Sequence, residues 1–248
     1  MGQKPPLDGR TAIVTGASAG IGRATAHALA ADGANVALAA RRTNRLETIA
    51  DALETEYGAD TLVAPTDVTD EADVDALVAD TVEHFGGLDV LVNNAGLARG
   101  DGDVPDMDTD AYETMMAVNC DGMFYATRAA LPHLVDTQGN LVFVGSFAGQ
   151  YPRPGNPVYA ATKWWTRGFA HSVEAQYGDQ GVGVTVVNPT EVRTEFGSEL
   201  GESFEERFDE GEVTAPAEIA DAIAFAARQE RSTASEIDLY RRDKFSDW

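Results

Sequence analysis

The strongest constraint on this chain is a rhythm, in which short β-branched runs alternate with longer amphipathic stretches along the whole sequence. Such alternation is the signature of parallel βα units, where each strand is followed by a crossover helix. Strands are expected at 11–15, 35–40, 61–64, 88–92, 140–144, 182–187 and 236–240. Helices are expected at 20–32, 42–57, 71–85, 109–135, 158–177 and 217–228. The strands are nearly unbroken apolar runs, as required when helices cover both faces of a sheet. No repeat, linker or low-complexity stretch interrupts the pattern. Residues 1–248 therefore read as one doubly wound α/β domain with a seven-stranded, mainly parallel sheet.

Two segments stand outside the rhythm. Residues 100–110 carry five aspartates and read as a solvated loop. Residues 194–213 hold eight carboxylates and one cation, Arg207. Within them Phe196, Leu200, Phe204 and Phe208 recur every fourth position, as on one face of a helix. Because this stretch follows strand six at the carboxyl edge, where open α/β sheets bind ligands, it is expected to form a substrate lid.

Composition narrows the setting. Hydrophobic residues make up 44% of the chain, which excludes intrinsic disorder despite 41 acids against 18 bases. The single cysteine, Cys120, excludes an intrachain disulfide and a Cys-based zinc cluster. His27, His84, His133 and His171 fall on four different expected helices, so no metal site is expected. A formal charge of -23 argues against nucleic acid as a partner, since phosphates need a basic surface. No apolar run approaches the ~18 residues of a membrane span. The first six residues lack the apolar core of a signal peptide, so a cytoplasmic protein without a membrane partner is expected. Only Lys4, Lys163 and Lys244 are lysines. An acidic excess of this size fits a saline cytoplasm, where a screening length of ~3 Å at 1 M salt suppresses self-repulsion.

Scarce cations make the remaining ones informative. Directly after strand one comes Gly16-Ala17-Ser18-Ala19-Gly20-Ile21-Gly22, whose glycines permit a tight turn and close backbone approach. The helix N-terminus that follows offers unpaired N–H groups to a pyrophosphate. At the end of strand two an acid would hold the ribose hydroxyls of NAD. Arg41 and Arg42 stand there instead, and guanidiniums suit a 2′-phosphate, so the spacing points to NADP(H). Asp67-Val68 after strand three and Asn93-Asn94-Ala95-Gly96 after strand four lie at the same sheet edge and suggest a shared ligand.

Chemistry is expected at the end of strand five. Gly145-Ser146 is followed, thirteen residues on, by Tyr159-Ala160-Ala161-Thr162-Lys163. Positions i and i+4 share a helix face, so the phenol and the ammonium can enter one cleft. A cation at ~4 Å in an effective dielectric of ~20 contributes ~4 kcal/mol, enough to lower the phenol pKa by at most roughly three units. That effect would bring tyrosine toward a useful range for proton transfer.

Together these motifs resemble the short-chain dehydrogenase/reductase family over residues 8–240, in the family's order and spacing. The resemblance implies a Rossmann fold, with Tyr159 as general acid/base, Ser146 bonding the substrate oxygen, Lys163 holding the nicotinamide ribose, and Asn119 supporting a proton relay. It also implies that the cofactor is held by Gly16, Ser18, Ala19, Gly20, Ile21, Gly22, Arg41, Arg42, Asp67, Val68, Asn94, Ala95, Gly96, Tyr159, Lys163, Pro189, Val192 and Thr194. Gly155-Asn156-Pro157-Val158, Thr194-Glu195-Phe196 and Ala215-Pro216-Ala217-Glu218 look most like the NADP-dependent branch acting on serine and other 3-hydroxy acids. The implied substrate is a small polar secondary alcohol or its ketone, and the implied assembly a homotetramer or homodimer pairing the helix that bears Trp164-Trp165. Arg99 and Arg153 are candidates for meeting a substrate carboxylate. One departure stands out: Asn188-Pro189-Thr190 replaces the family's Pro-Gly, and a β-branched residue resists positive φ, so contacts on the nicotinamide side are expected to be rearranged. A 3-oxoacyl reductase and a non-catalytic NADP-binding sensor are the competing readings. The negative charge disfavours an acidic carrier as substrate partner, and the intact Ser146, Tyr159 and Lys163 set disfavours the sensor.

Overall fold

A computed structural model describes residues 4–100 and 104–246. Seven strands form one parallel sheet: β1 (Thr11–Thr15), β2 (Asn35–Ala40), β3 (Thr61–Pro65), β4 (Val90–Asn93), β5 (Asn140–Val144), β6 (Gly183–Pro189) and β7 (Glu236–Leu239). Their order is β3-β2-β1-β4-β5-β6-β7, with every neighbouring pair parallel. The order reverses between β1 and β4, and the crevice at such a switch point is where ligands settle in open α/β sheets.

Among the described residues eight α-helices accompany the sheet: α1 (Gly20–Ala31), α2 (Thr43–Tyr57), α3 (Glu71–Phe85), α4 (Thr109–Met116), α5 (Gly122–Thr137), α6 (Pro157–Tyr177), α7 (Phe204–Arg207) and α8 (Pro216–Ala227). Alternating strand residues face opposite cores. In β1, Ala12 and Val14 pack with Leu29 of α1, Leu46 of α2 and Ile223 of α8. Ile13 points the other way, toward Leu77 of α3, Leu134 of α5 and Val173 of α6. Local chemistry sets the helix ends. Asp70 caps α3 by accepting from the Ala72 and Asp73 N–H groups, and Gly86 ends it at φ 86°. Asn156 caps α6 by accepting from the Tyr159 N–H, with Pro157 in the first turn.

Two expectations are corrected here. The single helix expected at 109–135 is instead α4, a π-helical turn over Ala117–Asp121, and α5. The π turn swings Asn119 inward, where its side chain accepts from the Leu97 N–H (2.9 Å) and donates to the Leu97 carbonyl (2.8 Å). Residues 194–213 do not form a helix with one apolar face. They contain a 3-10 turn at Ser198–Leu200 and the single turn α7. Gly197 and Gly201 adopt φ 96° and 107°, which no continuous helix accommodates. The rings of Phe196, Phe204 and Phe208 still meet, at 5.5 and 5.8 Å, but Leu200 stays exposed. Of the aspartate-rich loop at 100–110, residues 101–103 lie outside the described residues. The rest forms a 3-10 turn at Val104–Asp106 and the Asp108 cap of α4.

Candidate active site

The glycine loop joins β1 to α1 at the switch point. Gly16 and Gly20 adopt φ 66° and 53°, and a Cβ at Gly22 would collide with the Gly16 carbonyl oxygen. Thr15 Oγ accepts from the Asn94 and Ala95 N–H groups at 3.0 and 3.1 Å, while Asn94 Nδ2 donates to the Thr15 carbonyl at 2.7 Å. These bonds join the carboxyl ends of β1 and β4 beside the loop. Ala19 occupies the cap position of α1 and brings no side-chain acceptor, and no acid stands in its first turn. The backbone N–H groups there are accordingly available to an anion, the arrangement a dinucleotide pyrophosphate requires.

Arg42 lies across the same loop. Its Nε and one terminal nitrogen donate to Ser18 Oγ at 3.1 and 2.9 Å. The other terminal nitrogen donates to Glu195 at 2.7 Å, and Arg45 holds the second Glu195 oxygen at 2.5 Å. Bonding to Arg42, less the cost of burial and helped by Arg45, holds the Glu195 carboxyl below its usual range. A negatively charged group is thus already held by two guanidiniums, one of which also bonds the Ser18 hydroxyl, a set that fits a 2′-phosphate. Sequence reasoning identified Arg42 but missed Arg45 and Glu195, which only the fold brings to it. Arg41 is exposed and lies near Asp67. Burial pushes the Asp67 carboxyl up, but bonds from the Thr69 N–H and hydroxyl, with the Arg41 charge, hold it low. Asp67 therefore caps a local turn, and Val68 packs beside Gly122.

At the end of β5, Ser146 sits in extended backbone and its Oγ accepts from the Ala148 N–H at 3.1 Å, starting the 3-10 turn Phe147–Gly149. Tyr159 and Lys163 project from the first turns of α6. Lys163 is 4% exposed; its Nζ donates to the Val144 carbonyl at 2.9 Å and lies 5.8 Å from the Tyr159 ring centroid. Asn119 Nδ2 donates to Thr162 Oγ at 3.1 Å, and Thr162 donates to the Tyr159 carbonyl at 2.7 Å. A Cβ on Gly96 would stand 3.4 Å from Asn119 Oδ1 and 3.6 Å from Lys163 Nζ. Gly96, Asn119, Ser146, Tyr159 and Lys163 thus converge on one cleft.

The electrostatics correct one expectation. Burial pushes the Tyr159 phenol up to about 12, with the Ser146 hydroxyl and the Arg153 charge opposing it. Burial likewise brings Lys163 down to about 8. Burial outweighs the groups that favour the phenolate, so the net shift of the phenol is upward and not downward.

The β6 side closes the cleft. Pro189 ends β6, and Val192 and Thr194 are buried. A Cβ on Gly20 would meet the Thr194 methyl at 3.0 Å, so this segment rests on the glycine loop. The Phe196 ring lies 5.5 Å from that of Tyr159. Thr190 avoids positive φ, as its branched side chain dictates, and is held by the C-terminal segment. Its Oγ accepts from the Arg241 N–H at 3.0 Å, and Lys244 pairs with Glu191 at 2.5 Å. Arg153 stands over the Phe147 ring at 6.0 Å, near Tyr159, whereas Arg99 bonds Thr114 on α4 at 3.3 Å. Trp165 stacks on Phe169 while Trp164 is exposed.

The chain is similar to known proteins in sequence and in fold. The family model described as "short chain dehydrogenase" matches residues 10–204. A Schizosaccharomyces pombe NADP-dependent 3-hydroxy acid dehydrogenase is 35% identical over 226 residues, covering 89% of this chain and 87% of that protein. An alcohol dehydrogenase from the archaeon Thermococcus sibiricus, solved with 5-hydroxy-NADP, superposes with a TM-score of 0.86 at 31% identity, over 93% of this chain and 95% of that one. A 3-ketoacyl-(acyl-carrier-protein) reductase from Brucella melitensis, solved with NADH, gives 0.83 at 27% identity over 94% and 97%.

Proposed function

The chain belongs to the short chain dehydrogenase family, an oxidoreductase of Rossmann-like fold acting on CH–OH groups with a nicotinamide cofactor, and from that premise we propose that it is an NADP(H)-dependent dehydrogenase of a small polar secondary alcohol, such as a 3-hydroxy acid. The observation that carries the cofactor choice is the Arg42–Arg45 pair, which already binds the Glu195 carboxylate beside the glycine loop. No acid stands at the end of β2 to bond a ribose 2′-hydroxyl. The name of the fission-yeast relative supports both the cofactor and the substrate class.

When bound, the nicotinamide supplies or accepts the hydride. The chain's own residues handle the proton. Tyr159 delivers it to, or takes it from, the substrate oxygen, and Ser146 donates a hydrogen bond to that oxygen. Lys163, with a pKa near 8, carries a proton that is exchangeable close to neutrality. Asn119 fixes Tyr159 and the strand-four loop through Thr162 and Leu97. The segment 194–213 serves as the lid, with Phe196 covering the Tyr159 ring.

A panel of alcohols and keto acids assayed with NADP(H) and NAD(H) tests this. Preference for NADP(H), and loss of turnover with retained NADPH binding in Tyr159→Phe, are expected. Equal or better use of NAD(H) overturns the cofactor assignment. The likeness to the Brucella reductase favours a second reading, 3-oxoacyl reduction. Turnover confined to 3-oxoacyl thioesters would establish it over the first. We further propose a salt-adapted cytoplasmic homo-oligomer, dimer or tetramer. Its surface is acidic, no helix among the described residues is long and apolar enough to cross a membrane, and Tyr112, Phe124 and Trp164 are exposed on α4, α5 and α6.

A further inference from the structure

The catalytic serine is held from a strand that does not carry it. The Ser146 N–H donates to Asn188 Oδ1 at 3.3 Å, across from β5 to β6. Asn188 is fully buried, and a Cβ at Gly145 would collide with its Oδ1, so the glycine before Ser146 exists in contact with this amide. The other end of the amide donates to Asp238 Oδ1, on β7, at 2.9 Å. A carboxylate accepts only, so Asp238 dictates which end of Asn188 faces it and leaves the oxygen for Ser146. The same Asp238 oxygen accepts from Gln150 Nε2 at 3.0 Å. Gln150 closes the turn that Ser146 opens, its N–H donating to the Phe147 carbonyl at 3.1 Å. Gln150 also donates to Glu236 at 2.8 Å, which Arg167 and His171 of α6 hold at 2.6 and 2.5 Å. The turn from Ser146 to Gln150 is therefore fastened at both ends through one β7 carboxylate.

We propose that Asn188, oriented by Asp238, is a positioning residue for Ser146, setting where the serine hydroxyl meets the substrate oxygen and the Tyr159 phenol. This rests on the proton-transfer role proposed above for Ser146 and Tyr159. The groups facing the phenol are Ser146 from the β5 loop, Arg153 from the loop before α6, Lys163 from α6, and the Phe196 ring. Of these only Ser146 is held by Asn188. Loosening Asn188 withdraws the serine bond that favours the phenolate and leaves Arg153 and Lys163 in place.

The test is an exchange of the pair. Asn188→Asp sets two carboxylates against each other. The double variant Asn188→Asp with Asp238→Asn restores the pattern, since the carboxylate at 188 accepts from Ser146 and the amide at 238 donates back while accepting from Gln150. For alcohol oxidation with NADP, N188D is expected to lower kcat about tenfold, the size of one lost hydrogen bond. It should move the midpoint of the kcat–pH profile upward while NADPH binding by fluorescence stays unchanged, and the double variant should recover both. An unchanged kcat and midpoint in folded N188D, or a folded double variant that recovers neither, overturns the proposal. Should N188D melt before assay, Asp238→Leu removes the orienting acceptor from an exposed position and is expected to show the same losses, with unchanged kcat and midpoint counting against the idea. Ser146→Ala and Tyr159→Phe run in parallel. If they retain turnover, the underlying proton-transfer role fails rather than the Asn188 inference.

Discussion

On the proposal that Arg42 and Arg45 hold the 2′-phosphate of NADPH, Glu195 competes for both guanidiniums, and removing its charge should tighten NADPH binding. The structure sets the size of the effect. Glu195 makes two ion pairs, at 2.7 Å to Arg42 and 2.5 Å to Arg45, with side chains 38%, 45% and 48% exposed. Pairs that open to solvent are worth ~0.2–1 kcal/mol each, so releasing both guanidiniums to the phosphate changes binding by ~0.4–2 kcal/mol. At 1.4 kcal/mol per decade, Glu195→Gln should lower the Kd for NADPH by roughly twofold to thirtyfold. NADH, lacking the phosphate, should gain nothing. The difference should shrink toward 1 M salt, where the screening length falls to ~3 Å. The Glu195 carboxyl is held below its ordinary value, so the contact is complete above the usual carboxylate pKa and is lost as pH falls through the lowered one. Fluorescence titration of both cofactors at low and high salt measures all of this. An unchanged NADPH Kd at low salt, or equal tightening for NADH, refutes the reasoning.

Burial of Lys163 should leave a mark on stability. Its pKa falls from 10.5 unfolded to about 8 folded, so between those values the unfolded chain binds more protons and stability rises with pH. Tyr159, raised from 10.0 to about 12, acts in the opposite sense above pH 10, which confines the Lys163 effect to about pH 8–10. Urea unfolding of Lys163→Met should lack the rise that the parent shows in that window. Gly122→Ala would place a Cβ 2.9 Å from the Val68 carbonyl, and overpacking of this kind costs ~1–3 kcal/mol. It should also lower kcat by disturbing the π turn that bears Asn119, and a parent-like melting temperature and kcat would count against that account. Desalting should lower the melting temperature of a chain carrying 41 acids and 18 bases, and indifference to salt would remove the argument for salt adaptation.

What was legible in the sequence was whatever depends on neighbours a few residues away. Short, nearly unbroken apolar runs and amphipathic stretches place the strands and most helices, and Gly16 and Gly20 announce the tight turn that they form at positive φ. The Tyr159–Lys163 spacing predicts a shared helix face, yet it says nothing of their desolvation, which sets the direction of both pKa shifts. The apolar stripe at 196, 200, 204 and 208 follows helical spacing, but Gly197 and Gly201 weigh more than the stripe, and three of its four members meet through a folded loop. Contacts between distant segments left no local trace. Glu195 reaches Arg42 across 153 positions, and Asn188 reaches Ser146 across 42. If lysine is nearly excluded from the surface, any lysine that remains deserves a structural reason. Lys244 has one as definite as that of Lys163: it is only 8% exposed, paired with Glu191, and set 4.7 Å from the centroid of the Phe147 ring. The C-terminal segment is thereby fastened on both sides of the cleft, to the residue after Ser146 and to the residue after Thr190. The family's Pro-Gly backbone at 189–190 is replaced here by a threonine whose hydroxyl this same segment holds. The departure and the buried lysine thus belong to one arrangement, in which side-chain and ionic contacts from the C-terminal segment hold the turn after β6.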